Sequence, residues 1–154
     1  MRDYFVAFLH AIRPAYTLLT RTTPNAQTLQ LTDTPVVFES SYVSDVPDYS
    51  ATAATGSVIR LEAGSTGITF NCSVEGALGR IVTVTLYKNG VATSWRGSTT
   101  LQGAGKPVEI TFTSLSYEGS AATYQLQAKC DTAGTSVTFS SMDVLAQTTP
   151  VNAY

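Results

Sequence analysis

The sequence predicts an all-β protein, a sandwich or barrel of about eight antiparallel strands preceded by an extended N-terminal arm. Three observations carry that reading. Charged residues make up only 13% of the 154-residue chain, while Ser and Thr supply about a quarter of it. Val, Thr, Tyr and Phe fit pleated, half-buried surfaces, whereas long helices draw on Ala, Leu, Glu and Lys. From Pro35 onward, short apolar-polar alternations follow one another, each closed by a turn signal. The length suits one domain with a core of its own, and 44% hydrophobic residues with so little charge argue against disorder.

In chain order, residues 1–34 read as an arm and linker. The opening MRDYFVAFLHAIRP holds an apolar run from Tyr4 to Ile12. Phe5, Leu9 and Ile12 are spaced as on a short helix stopped by Pro14, while Tyr4, Val6 and Phe8 alternate with Phe5 and Ala7 as on a strand, and both forms stay open. Burying Phe5, Phe8, Leu9 and Ile12 is favourable by roughly 1.5–3 kcal/mol each, so the arm is expected to lie on a surface, its own domain's or another subunit's. Arg2, His10, Arg13 and Arg21, opposed up to Arg21 only by Asp3, make it the one locally basic stretch. The run TRTTPNAQTLQLTDTP then marks the boundary of the domain.

Residues 35–146 form the β-domain, with strands expected at 36–43, 57–63, 68–74, 81–88, 91–95, 108–113, 123–130 and 137–144; residues 147–154 are a tail. Val82, Val84 and Leu86 point one way and Thr83, Thr85 and Tyr87 the other; Val108, Ile110 and Phe112 alternate with Glu109, Thr111 and Thr113. In the last strand Val137 and Phe139 are out of phase with Met142 and Val144, which calls for a β-bulge near Ser140-Ser141. Within LYKNGVATSW, Asn89-Gly90 supplies a type I′ turn that sets Lys88 opposite Val91, Leu86 opposite Thr93 and Val84 opposite Trp95, with Trp95 on the apolar face. Cys72 and Cys130 fall on buried faces, as free core thiols or as a cross-sheet disulfide.

The chemistry of an enzyme is missing from this pattern. The sole histidine, His10, has no Ser or Cys nucleophile nearby, and the loops GSTG (64–67) and QGAGK (102–106) lack the spacing and the helix of a phosphate loop. The acidic cluster of Glu39, Asp45 and Asp48 in and before SSYVSDVPDYS matches no calcium loop. No catalytic residue, metal site or cofactor is therefore assigned. A net charge of −2 gives no general attraction to nucleic acid or to an anionic membrane. The run from Tyr4 to Ile12 is too short to span a bilayer, and Asp3 together with the lack of a small-residue cleavage site argues against a secretory signal.

A strand start at Pro35-Val36-Val37-Phe38, the Asp48-Tyr49 loop, TGSVIRLEAG, ITFNCSVEG, VTVTLYKNG and ATYQLQAKCDTAGTSVTFSSMDVLAQ, in that order, resemble the C1q/TNF-like jelly roll over about residues 35–146. The chain is most similar to the short jelly-roll proteins that bacteriophages place on their virions as decoration proteins, head fibres or tail tips. The resemblance implies a jelly-roll sandwich, a homotrimer, and a non-enzymatic virion protein whose partner is the major capsid protein or another virion protein. Phe5, Phe8, Leu9 and Arg13 are then the expected anchors, three by apolar burial and Arg13 by pairing with a carboxylate. The alternative is a receptor- or glycan-binding tail or fibre module, presenting Tyr49, Trp95 or Arg96 from its loops.

Overall fold

The computed structural model describes residues 15–44 and 48–148, which form twelve strands in two antiparallel sheets. Sheet I contains β1 (Tyr16–Arg21), β2 (Asn25–Leu29), β4 (Ser40–Val43), β7 (Gly64–Gly76), β10 (Val108–Glu118) and β12 (Thr135–Thr148). Sheet II contains β3 (Thr34–Pro35), β5 (Tyr49–Thr52), β6 (Ser57–Arg60), β8 (Ile81–Lys88), β9 (Val91–Thr100) and β11 (Ala122–Cys130). The strand orders are β10-β7-β12-β1-β4 and β5-β6-β11-β8-β9; β2 continues the pairing of β1 along β12, and β3 pairs with β11.

Each sheet turns the apolar phase of its strands inward. Val82, Val84, Leu86, Leu126 and Tyr124 from sheet II meet Phe70, Ile68, Phe139 and Val144 from sheet I, all at most 2% exposed, and Phe70 packs on Phe112 with ring centroids 5.3 Å apart. The expected bulge is present: the β12–β7 register shifts between Phe139 and Ser141, and Phe139 and Met142 both reach the core. Cys72 and Cys130 are free and buried in opposite sheets, and burial pushes the Cys72 thiol up to about 12. The cross-sheet disulfide is thereby set aside.

The arm is shorter than the sequence indicates. β1 lies inside sheet I, hydrogen-bonded to β12 on one side and β4 on the other, and β2 also pairs with β12. The segment reads as polar because a threonine, Thr17, shares the inward phase with Leu19, yet both are fully buried, and the Thr17 hydroxyl donates to the Tyr42 carbonyl at 2.6 Å. A satisfied threonine can occupy a core position that an apolar count overlooks. Phe5, Phe8, Leu9, His10 and Arg13 lie outside the described residues. At the other end β12 continues to Thr148, two residues into the expected tail.

Of the strand expected at 36–43 only Ser40–Val43 is a strand, and residues 36–39 carry the chain from one sheet to the other. β3 pairs with β11 in sheet II, Val36 and Phe38 cross the core, and β4 pairs with β1 in sheet I. Glu39 secures the crossing. One carboxylate oxygen accepts from the amides of Thr22 and Thr23 at 3.0 and 3.1 Å, and the other from the Thr23 hydroxyl at 3.0 Å. These hydrogen bonds hold the Glu39 carboxyl at about 2, well below its ordinary 4.5. Because the folded value is depressed, the stabilisation is present above about pH 4.5 and is lost as pH falls toward 2. Glu39→Gln is expected to flatten the acid limb of a Tm-against-pH curve in that window. A slope equal to that of the unmodified chain would refute the role.

Asn89 and Gly90 have φ of +49° and +79°, as a type I′ turn requires. Lys88 faces Val91 as expected, but the register then slips: Thr85 pairs with Arg96 and Val84 with Gly97. Between these pairs β9 carries two extra residues. The Thr93 hydroxyl donates to the Leu86 carbonyl at 2.6 Å and accepts from the Trp95 amide at 3.2 Å. Two extra residues preserve the alternation, so Trp95 stays on the inner side, half-buried against the core, although Gly97 takes its expected partner. Gly97 also lets β9 approach β10, since a Cβ there would stand 2.6 Å from Ile110 Cγ2. Gly97→Val is expected to lose about 1–3 kcal/mol by overpacking despite the higher strand propensity of valine, as measured by chemical denaturation.

Candidate functional site

The outer face of sheet I divides into two halves of different chemistry. Following the register across the sheet, one row runs Leu115, Gly67, Gln147, Tyr16 and the next Thr113, Thr69, Leu145, Leu18, Tyr42, with Tyr117 opposite Ser65 beyond them. None of these side chains is charged. Leu115 and Tyr117 are 61% and 73% exposed, Tyr16 and Tyr42 are also exposed, and Leu18 and Leu145 are half-buried. The rings of Tyr16 and Tyr42 stack at 5.7 Å.

Strand geometry shapes this half into two ridges and a valley. Leu115 and Tyr117 stand on β10, Tyr16, Leu18 and Tyr42 on β1 and β4, and between them β7 presents Ser65, Gly67 and Thr69 and β12 the half-buried Leu145 and Gln147. A Cβ added at Gly67 would make ordinary contact only, with two backbone oxygens at 3.9 Å. The next row, Thr111, Asn71, Asp143, Thr20 and Ser40, begins the polar half. There Asn71 donates to Asp143 at 3.0 Å, and a shallow groove of about 320 Å³ is lined by Arg21, Asn71, Glu109, Ser141 and Asp143.

The uncharged half lies at the end of the sandwich where both termini leave. Ala15 and Tyr16 open the described chain beside Thr148 and Gln147, which close it, and the Thr148 amide donates to Ala15 at 3.0 Å. The described chain therefore begins and ends at the rim of this face.

Behind the face sits a buried polar cluster. Arg60 and Tyr49 are each 3% exposed, and the guanidinium ring-stacks at 5.7 Å from the Tyr49 centroid. Nη1 lies 2.9–3.2 Å from the Ser65 carbonyl and the hydroxyls of Thr66, Thr148 and Tyr49. Nε donates to Glu62 and Nη2 to Ala63, with Asp48 Oδ2 at 3.9 Å. Asp48, Tyr49, Arg60, Thr66 and Thr148 are all buried, and the turn at Glu62 and Ala63 forms the outer edge of the cluster.

The three loop candidates are not brought together. Tyr49 is committed to the Arg60 cluster and offers no ring to a ligand. Trp95 lies half-buried on the inner side of β9, and Arg96 points outward from sheet II. Of the acidic trio, Glu39 caps the β1–β2 connection, Asp48 is buried beside Arg60, and Asp45 lies outside the described residues. The sixth expected strand ends at Thr113, whereas β10 continues to Glu118 and carries Leu115 and Tyr117. Continued alternation, with Ser114 and Ser116 inward and Thr113, Leu115 and Tyr117 outward, was the signal for an apolar outer face.

No protein-family model matches the sequence, and no characterised protein matches it at the sequence level. Among solved structures the chain is similar to the globular domain of zebrafish complement 1qA protein, with a TM-score of 0.55 and 14% identity, covering 88% of this chain and 94% of that one. It is likewise similar to Eiger TNF from S. frugiperda, with a TM-score of 0.59 and 13% identity, covering 91% and 96%. The fold is thus a C1q/TNF-like jelly roll, with the two-sheet architecture the sequence predicts.

Proposed function

We propose that this chain is a non-enzymatic structural protein of a bacteriophage virion, a homotrimer that decorates and cements a capsid and is attached through the residues preceding Ala15. The observation that carries the self-association is the uncharged outer face of sheet I. Monomeric soluble proteins rarely leave contiguous aromatic and aliphatic groups unscreened by charge, and such patches, rimmed by polar residues, mark contact surfaces. The ridge of Leu115 and Tyr117 and the valley over Gly67 are different surfaces of one face. A contact of ridge with valley is heterologous, and it makes a closed ring where the rotation between copies closes and an open filament where it does not. A three-membered ring is the closure that the resemblance implies.

In such a ring the N-terminal segments of three copies leave from the same end, each carrying Phe5, Phe8, Leu9 and Arg13. Three apolar arms side by side bind a particle surface with far greater avidity than one. The alternative of a glycan-binding tail module has lost Tyr49 to the interior. Deleting residues 1–13 tests the attachment, since β1 and the rest of the sandwich remain. The truncated protein is expected to stay assembled but to be lost from particles in a co-sedimentation assay. Binding at full strength would refute the arm as anchor.

A further inference from the structure

The one guanidinium buried behind the contact face touches the backbone that forms its floor. Thr66 and Thr148 are register partners whose side chains point inward to Arg60 Nη1, both at 3.1 Å. Their chain neighbours Ser65, Gly67 and Gln147 therefore point outward, onto the face. Arg60 further binds the carbonyls of Glu62, Ala63 and Ser65, so three of the four residues leading into and opening β7 are held by one side chain. Gly64 is part of the same fit: its φ is +146°, and a Cβ there would stand 2.4 Å from Arg60 Nη2.

We infer that Arg60 is a positioning residue for self-association, acting through the start of β7 and the end of β12. The inference rests on the reading that the uncharged face joins copies of this chain. The valley between the two ridges has no side-chain filling at Gly67, so its depth is set by the backbone of β7 relative to β10 and β12. A lysine keeps the charge but not the planar fork of donors, and cannot bind carbonyls and hydroxyls on both sides at once.

Three variants separate positioning from general stability: Arg60→Lys, Thr148→Val, which deletes one hydroxyl acceptor, and Leu29→Ala, a core truncation at the opposite end of β12, where Leu29 faces Thr135. Oligomer dissociation on dilution, Tm, and amide hydrogen exchange are measured on each full-length protein. Arg60→Lys and Thr148→Val are expected to speed exchange over residues 64–67 by at least about tenfold relative to β8 and β11. Both are also expected to raise the dissociation midpoint by about tenfold or more. Leu29→Ala lowers Tm without either change. If Arg60→Lys and Thr148→Val weaken association no more than Leu29→Ala does, the positioning role is overturned. If the unmodified chain is a monomer, the reading of the face fails instead, and exchange over residues 64–67 still decides whether Arg60 sets that backbone. Should Arg60→Lys not fold, Thr148→Val alone carries the comparison.

Discussion

Replacing Leu115 and Tyr117 together with aspartate is expected to convert the assembled protein into folded monomers. Both side chains are more than half exposed in the single chain, so their loss removes little packing, and Tm measured at low concentration changes slightly. In an assembly that covers this face, each buried apolar side chain is worth roughly 1.5–3 kcal/mol, and the substitution replaces that gain with carboxylates that have no cation to meet. No charged side chain stands in the rows beside them. Sedimentation velocity of the double variant is the check. A variant that sediments like the unmodified chain would remove β10 from the contact surface.

Arg60→Ala is expected to cost about 3–5 kcal/mol of folding stability, the range for removing one member of a buried charged network. The side chain is only 4% exposed, so solvent screening does not discount the effect. Its removal strips the donor from three carbonyls and leaves the hydroxyls of Tyr49, Thr66 and Thr148 to bond only with one another or Asp48. It also opens a void next to Gly64. Equilibrium denaturation at neutral pH reads the loss directly. A loss below about 1 kcal/mol would mean that water replaces the guanidinium at little cost, and that the cluster is not a structural element.

Local pattern carried most of the fold. Alternation placed Val82, Val84, Leu86 and Ile110 in the core, the phase break between Phe139 and Met142 located the bulge, and Asn89-Gly90 identified its turn. Each of these is a short-range constraint, and a sheet with one apolar face enforces it strictly. What eluded the sequence depends on distant partners. β1 is a strand because β12 and β4 flank it, and its inward Thr17 is acceptable only because Tyr42 offers a carbonyl. The slip between β8 and β9 follows from a Thr93 hydroxyl taking over the Leu86 carbonyl, which turn type alone does not predict.

The candidate site was less visible than the fold. Arg60 stands two residues from Val58 on the inward phase of β6, an arginine where an apolar residue belongs, and that misplacement was the available clue. Its partners come from segments as far away as Thr148, so no local pattern names them. The uncharged face is likewise a property of five strands in register. Only the outward phase of β10, continued past Thr113 to Leu115 and Tyr117, could be seen along one stretch of chain.

Sedimentation equilibrium of the unmodified, full-length chain over a wide concentration range tests the central claim most directly. A ring of three copies through the uncharged face of sheet I predicts a single species of about 49 kDa, three times the 16.3 kDa chain, persisting on dilution. A species of 16.3 kDa at every concentration would contradict it.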